Sequence, residues 1–265
     1  MIKYIEEKLV EWEVISECTY NCFYCELPDI KTQKNKDILS DFISTKLKND
    51  INNGFEKVFL FGGEPFIHPS IRFIINELHF QEVPFMIQTQ LSDKTTDIIL
   101  DLEPTFELNL SFHITEESVE SFVNKLILLK EYNITKIDMM YSIKNCEKDY
   151  LKLLSLMKKN NIDISTHLTP IADFHLTSPK AEDLLKDYNR LKSGPIKKII
   201  KFETTSLFDE DRSILWEKQH KGEYSTIGKP CLYKNRYKIY NSMLQEFSCH
   251  RQKNVSICED RCFLM

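Results

Sequence analysis

Six short apolar stretches, about thirty residues apart and separated by helical patterns, constrain the fold of this chain more than any other feature. Val10, Trp12 and Val14 alternate with Glu11 and Glu13, the mark of a half-buried strand. Val58–Phe61, Phe85–Thr89, Phe106–Phe112, Lys136–Ile143 and Ile162–Leu168 supply five more strands, and Glu107, Asn109 and Ser111 share one face of the fourth. Helical spacing fills the gaps. Ile38, Phe42, Ile43, Leu47 and Ile51 form one apolar stripe closed by Gly54, and Ile71, Ile74, Ile75 and Leu78 form another behind Pro69. A short helix is expected near 94–102, one from an N-cap at Thr115 to about Tyr132, and one from Asp149 to Lys159. Strands and helices in this alternation build right-handed βαβ units on a parallel sheet. Eight strands close a TIM barrel; six leave an open, partial (βα)6 barrel, with ligands at the C-terminal ends of the strands.

The first strand runs directly into Cys18-Thr19-Tyr20-Asn21-Cys22-Phe23-Tyr24-Cys25, and the next cysteine is Cys146. A cubane [4Fe-4S] cluster needs four thiolates for full protein ligation. Three packed this tightly hold three irons and leave the fourth open to a ligand. The spacing alone also suits a zinc ion completed by a distant His or Cys. The second strand ends in Gly62-Gly63-Glu64-Pro65, a tight turn where glycine lets backbone approach a ligand and where Glu64 and free carbonyls suit an ammonium group.

Cys18, Cys22 and Cys25 in a C-x3-C-x2-C loop, the aromatic Tyr24 before the third cysteine, and the Gly-Gly-Glu-Pro turn together resemble the radical S-adenosylmethionine (SAM) superfamily. The resemblance implies the same partial barrel. It implies a [4Fe-4S] cluster whose open iron chelates SAM, reductive cleavage to a 5′-deoxyadenosyl radical, and a flavodoxin- or ferredoxin-type electron donor. On that resemblance Gly62, Gly63 and Glu64 contact the methionine ammonium, Tyr24 the adenine, and Gln88, Gln90 and Ser111 the ribose or carboxylate. His113, Tyr141, Lys144 and His167 lie near the ends of strands four to six, where they line a substrate pocket as candidate acid–base residues. His68 follows the glycine turn, and a structural role competes with a chemical one there.

Cys231, Cys249, Cys258 and Cys262 form a second group at the C-terminus. Tyr237–Tyr240 and Gln245–Ser248 read as a hairpin, and Cys258 and Cys262 share a face if helical. Four thiolates can saturate a zinc ion or an iron–sulfur cluster. The tail resembles the shorter "twitch" form of the SPASM extension of radical SAM enzymes, although the usual glycine before the second cysteine is absent and Gln245 stands near its place. The expected division is a partial-barrel core over 1–200 and a twitch-like domain with a second [4Fe-4S] cluster over 201–265. Cys146 is expected to pack as a buried side chain.

The 265 residues allow one or two domains with an ample core. A net charge of −5 gives no support for a nucleic-acid partner. No apolar run is long enough to span a bilayer, and the first residues lack a signal-peptide pattern, so the expectation is a cytoplasmic protein with no membrane partner. Eight cysteines in a reducing compartment then point to metal or redox chemistry. Peptide-modifying relatives often carry a leader-recognition domain. Only a strand fits ahead of Cys18, which favours a small hydroxylated, carbohydrate-like substrate over a peptide. A zinc-binding scaffold without catalysis is the alternative of another class, and it has no use for the glycine turn.

Overall fold

A computed structural model describes residues 8–22, 31–141, 146–170 and 237–247. The expected strands are there: β1 (Leu9–Ile15), β2 (Lys57–Gly62), β3 (Phe85–Thr89), β4 (Glu107–His113), β5 (Asn133–Tyr141) and β6 (Thr166–Pro170). Every pairing described among them is parallel. The order β6-β5-β4-β3-β2-β1-β7-β8 has two free ends, so the six parallel strands form an open sheet rather than a closed barrel.

The chain divides into two compact units. In the first, covering 8–18, 31–87 and 237–247 of the described residues, β1, β2 and the start of β3 pair in register. The helical stripe after the cysteine loop forms α1 (Lys36–Asp41), a π-helical segment (Phe42–Leu47) and α2 (Lys48–Asn52), one after another. Asn35 caps the start by accepting from the N–H groups of Asp37 and Ile38. Ser44 and Thr45 donate their hydroxyls to the Asp41 carbonyl, the kind of back-bonding that opens a helix locally. The chain beyond β2 first makes a 3₁₀ turn (Pro65–Ile67), so α3 (Ile71–Phe80) starts behind Ser70 and not at Pro69.

The hairpin expected near the C-terminus is β7 (Tyr237–Tyr240) and β8 (Glu246–Phe247), paired antiparallel. Its pairing partner was not legible: β7 runs parallel to β1, from Leu9↔Tyr237 to Trp12↔Tyr240, and so extends the sheet. Trp12, Phe42 and Tyr240 pack edge to face at 5.0 and 4.9 Å, contacts worth about 0.5–1.5 kcal/mol each beyond area burial. Asp50, buried on α2, takes the Lys238 ammonium at 2.5 Å and the Tyr240 hydroxyl at 2.8 Å. Burial and the adjoining carboxylate push the Tyr240 phenol up, so it stays a donor at every ordinary pH.

The second unit covers 19–22, 88–141 and 146–170 of the described residues. Here β4, β5 and β6 pair in parallel, beside α4 (Asp93–Leu100), α5 (Val119–Leu128) and α6 (Cys146–Lys159) in sequence. Ser118, not Thr115, caps α5 by accepting from the Ser121 N–H; residues 114–116 form a turn. Phe112 stacks on Phe122 at 4.5 Å, which fixes the apolar face of β4 against α5. The expectations at 181–191 and 195–202 lie outside the described residues, as do Tyr24, Cys25, Lys144, Cys231, Cys249, Cys258 and Cys262. Cys146 opens α6. No helix of the described residues is long and apolar enough to cross a membrane.

Asp50→Ala should strand the Lys238 ammonium and the Tyr240 hydroxyl at the β7 edge. The expected loss is about 2–4 kcal/mol, read by denaturant unfolding. A change below about 0.5 kcal/mol would mean that the hairpin holds without this carboxylate.

Candidate active site

The glycine turn has a close neighbour, and that neighbour is backbone. Gly62 sits at φ +135°, a conformation that side chains disfavour, and a Cβ there would lie 2.1 Å from the Ile15 carbonyl oxygen. A Cβ on Gly63 would lie 2.0 Å from the Glu17 oxygen. The amides of Gly63 and Glu64 donate to those same carbonyls, at 2.8 and 2.9 Å. A register shift between Glu13 and Ile15 prepares the approach. The two glycines therefore bind the segment that leads into Cys18 to the end of β2. Glu64 is fully buried and accepts the Phe66 N–H at 3.1 Å, capping the 3₁₀ turn.

His68 holds the return of the cysteine loop. Its Nδ1 accepts the Ser70 N–H and its Nε2 meets the Gln33 carbonyl, each at 3.0 Å. One neutral tautomer satisfies both bonds, and burial pulls the imidazole pKa down. The Ser242 carbonyl accepts from the Gln33 amide at 2.9 Å, so the hairpin turn clips the same segment. His68 is thus a structural histidine.

In the second unit, the loop residues around Cys22 meet the ends of β3 and β4. The Sγ of Cys22 lies 3.6 Å from His113 Nδ1, and the Tyr20 ring meets the His113 ring edge to face at 5.9 Å. Burial pushes the His113 pKa down to about 4, so the imidazole is neutral at ordinary pH. Gln90 donates to Thr19 Oγ1 at 3.1 Å, and Gln88 donates to Ser111 Oγ at 2.6 Å. Gln88 lies within β3 and Gln90 just beyond it, Ser111 lies within β4, and His113 is the last residue of β4. Tyr141 ends β5 and pairs with Pro170; His167, on β6, pairs with Asp138.

Sequence reasoning missed the ion pair behind the loop. Tyr20 donates its hydroxyl to Glu117 at 3.2 Å, and Glu117 accepts from Ser121 and from the Lys125 ammonium. Lys125 also reaches the Leu91 carbonyl at 2.7 Å and Asp93 at 2.8 Å. Lys125 is only 8% exposed. Its eight-residue offset from Glu117 spans a turn and a helix start, which no periodic pattern signals.

Neither Cys18 nor Cys22 is in a disulfide; Cys18 is half-buried and Cys22 is buried. Sheltered thiols on a loop pinned by Thr19 and Tyr20 suit soft thiolate ligation of an iron–sulfur cluster. The third cysteine of the trio lies outside the described residues, and no group of three metal-binding side chains occurs among those described.

Comparison with known proteins agrees with this geometry. The radical SAM superfamily profile matches residues 12–187, more than half of the chain, and the chain belongs to that superfamily. Membership implies a [4Fe-4S] cluster and SAM, and an enzyme. The fold is similar to that of Streptococcus suis SuiB bound to S-adenosylmethionine, with 14% identity and a TM-score of 0.57 over 97% of this chain. The chain spans 62% of the SuiB chain in that structure. SuiB bound to the precursor peptide SuiA matches at 13% identity and a TM-score of 0.54, over 97% of this chain and 64% of that one. Histidine-tagged anSMEcpe with bound AdoMet matches at 13% and 0.54, over 92% of this chain and 74% of that one. At such identities the likeness is one of fold. No curated protein matches the sequence.

Gly63→Ala should force the β2 turn away from Glu17, lowering both the thermal midpoint and the iron bound per chain after anaerobic reconstitution. Iron binding equal to wild type would show that the loop does not need this contact. Lys125→Met should cost about 3–5 kcal/mol in unfolding free energy, because it leaves the buried Glu117 uncompensated. Adding Glu117→Gln should recover part of that loss, and a strictly additive double variant would mean the pair is not coupled.

Proposed function

We propose that this chain is a radical SAM enzyme acting on a small hydroxylated substrate. Cys18, Cys22 and Cys25 would hold the [4Fe-4S] cluster. When bound, the cluster would supply the electron for reductive cleavage of SAM, the source of the radical chemistry on the substrate. The observation that carries the reading is the pinned cysteine loop. The Gly62-Gly63 turn grips its entry, and Thr19 and Tyr20 are bonded to Gln90 and Glu117. These contacts support a loop on which Cys18 and Cys22 would serve as fixed ligands.

The chain's other residues have roles to match. Gly62, Gly63 and Glu64 offer carbonyls and a carboxylate to the methionine ammonium, with Tyr24 against the adenine. Gln88 and Ser111, already bonded to each other, and Gln90 present amide and hydroxyl groups at the ends of β3 and β4. His113, neutral and set against Cys22, together with Tyr141, Lys144 and His167, is the group from which an acid–base residue would be drawn. Residues 201–265 would carry a second [4Fe-4S] cluster on Cys231, Cys249, Cys258 and Cys262 that accepts or relays an electron. A flavodoxin- or ferredoxin-type protein would supply the first electron. A peptide substrate is the second reading, favoured by the similarity of the fold to SuiB in its complex with SuiA.

Anaerobically reconstituted protein with dithionite and SAM should yield 5′-deoxyadenosine, and Cys22→Ala should reduce the yield to background. Intact SAM in the wild-type reaction would end the enzymatic reading. Iron analysis of the same sample should give about eight irons per chain for two cubanes, and about four if the C-terminal cysteines hold none.

A further inference from the structure

On β4 and β5 one face carries Leu108, Leu110, Phe112, Ile137 and Met139, all fully buried. The other face is polar, and three of its residues are also buried. Asn109 is 4% exposed, Ser111 5% and Asp138 8%. Ser111 lies opposite Asp138 in register, and Asn109 opposite Lys136, so all four share that face. A sheet face closed to water is ordinarily apolar, and its polar atoms ordinarily find partners within the fold. Ser111 does, through Gln88. Two atoms do not: Asn109 Oδ1 and Asp138 Oδ1 are buried with no hydrogen-bond partner among the described residues. A buried acceptor left without a donor is costly, so both oxygens call for a donor that the described residues do not supply.

We propose that Asn109 and Asp138 form a substrate subsite that accepts hydrogen bonds from neighbouring hydroxyl groups of a neutral, hydroxyl-rich small molecule. This rests on the reading of the chain as a radical SAM enzyme and narrows its substrate class. Three observations select the ligand. Both unmet atoms are acceptors, so the ligand donates. The other Asp138 oxygen already takes the Lys136 ammonium at 3.0 Å, so the carboxylate has a cationic partner and a cationic ligand would compete with it. The two residues sit diagonally on adjacent strands, roughly 6–8 Å apart at Cβ, within reach of one small molecule. Depth separates the subsite from the cysteine loop. His113, which touches Cys22, ends β4, and Asn109 lies four residues back along it, roughly 13 Å away at strand rise.

The shared chemistry, adjacent hydroxyls, also occurs on the ribose of SAM, so the test must tell the two apart. The first measurement is the thermal midpoint of Asn109→Leu in the full chain without ligand. A group reserved for a ligand is dispensable to the fold, so the midpoint should equal or exceed that of wild type. A fall of more than about 3 °C would show that the fold itself uses Asn109 and would overturn the proposal. Lys136→Met/Asp138→Leu, which removes the ion pair as a unit, should behave in the same way and guards against a packing fault peculiar to Leu at 109. The second measurement is a crystal structure of the reconstituted protein with SAM. Ribose hydroxyls beyond hydrogen-bond distance of Asn109 Oδ1 and Asp138 Oδ1 support a separate substrate subsite; ribose bonded to either oxygen overturns it. Neither measurement depends on SAM cleavage, so the subsite can fail while the enzymatic reading stands, and the reverse.

Discussion

The structure of the first unit turns on one close approach of backbone to backbone. At the end of β2 two residues without side chains lie against the carbonyls of Ile15 and Glu17, and the adjoining amides bond to them. No other residue type fits, since an added Cβ would overlap those oxygens. The consequence is mechanical. Cys18 follows Glu17 directly, so a main-chain hydrogen bond fixes the residue before it.

Further along, the loop is tethered differently. Thr19 and Tyr20 are held through side chains, Tyr20 by a carboxylate whose charge is met by the buried Lys125. On the return from the loop, His68 and the β7–β8 turn fasten residues near Gln33.

A buried polar atom needs a hydrogen-bond partner, and the partner need not come from the chain itself. The contrast within β4 makes the point. Leu108, Leu110 and Phe112 are consumed by the fold, whereas Asn109 carries an oxygen the described fold leaves unused.

The sequence by itself determined the six strands and their parallel arrangement, because hydrophobic period is a local property of a chain. It misplaced the start of α5, where Ser118 rather than Thr115 supplies the capping oxygen, since several residues in that turn offer equivalent caps. Only the tertiary structure decided that the glycines press on Ile15 and Glu17, that β7 pairs with β1, and that Lys125 neutralises Glu117. Each of these is a meeting of segments distant in sequence. Which partner a buried charge or a bare strand edge finds is set by how the whole chain packs, not by the residues beside it.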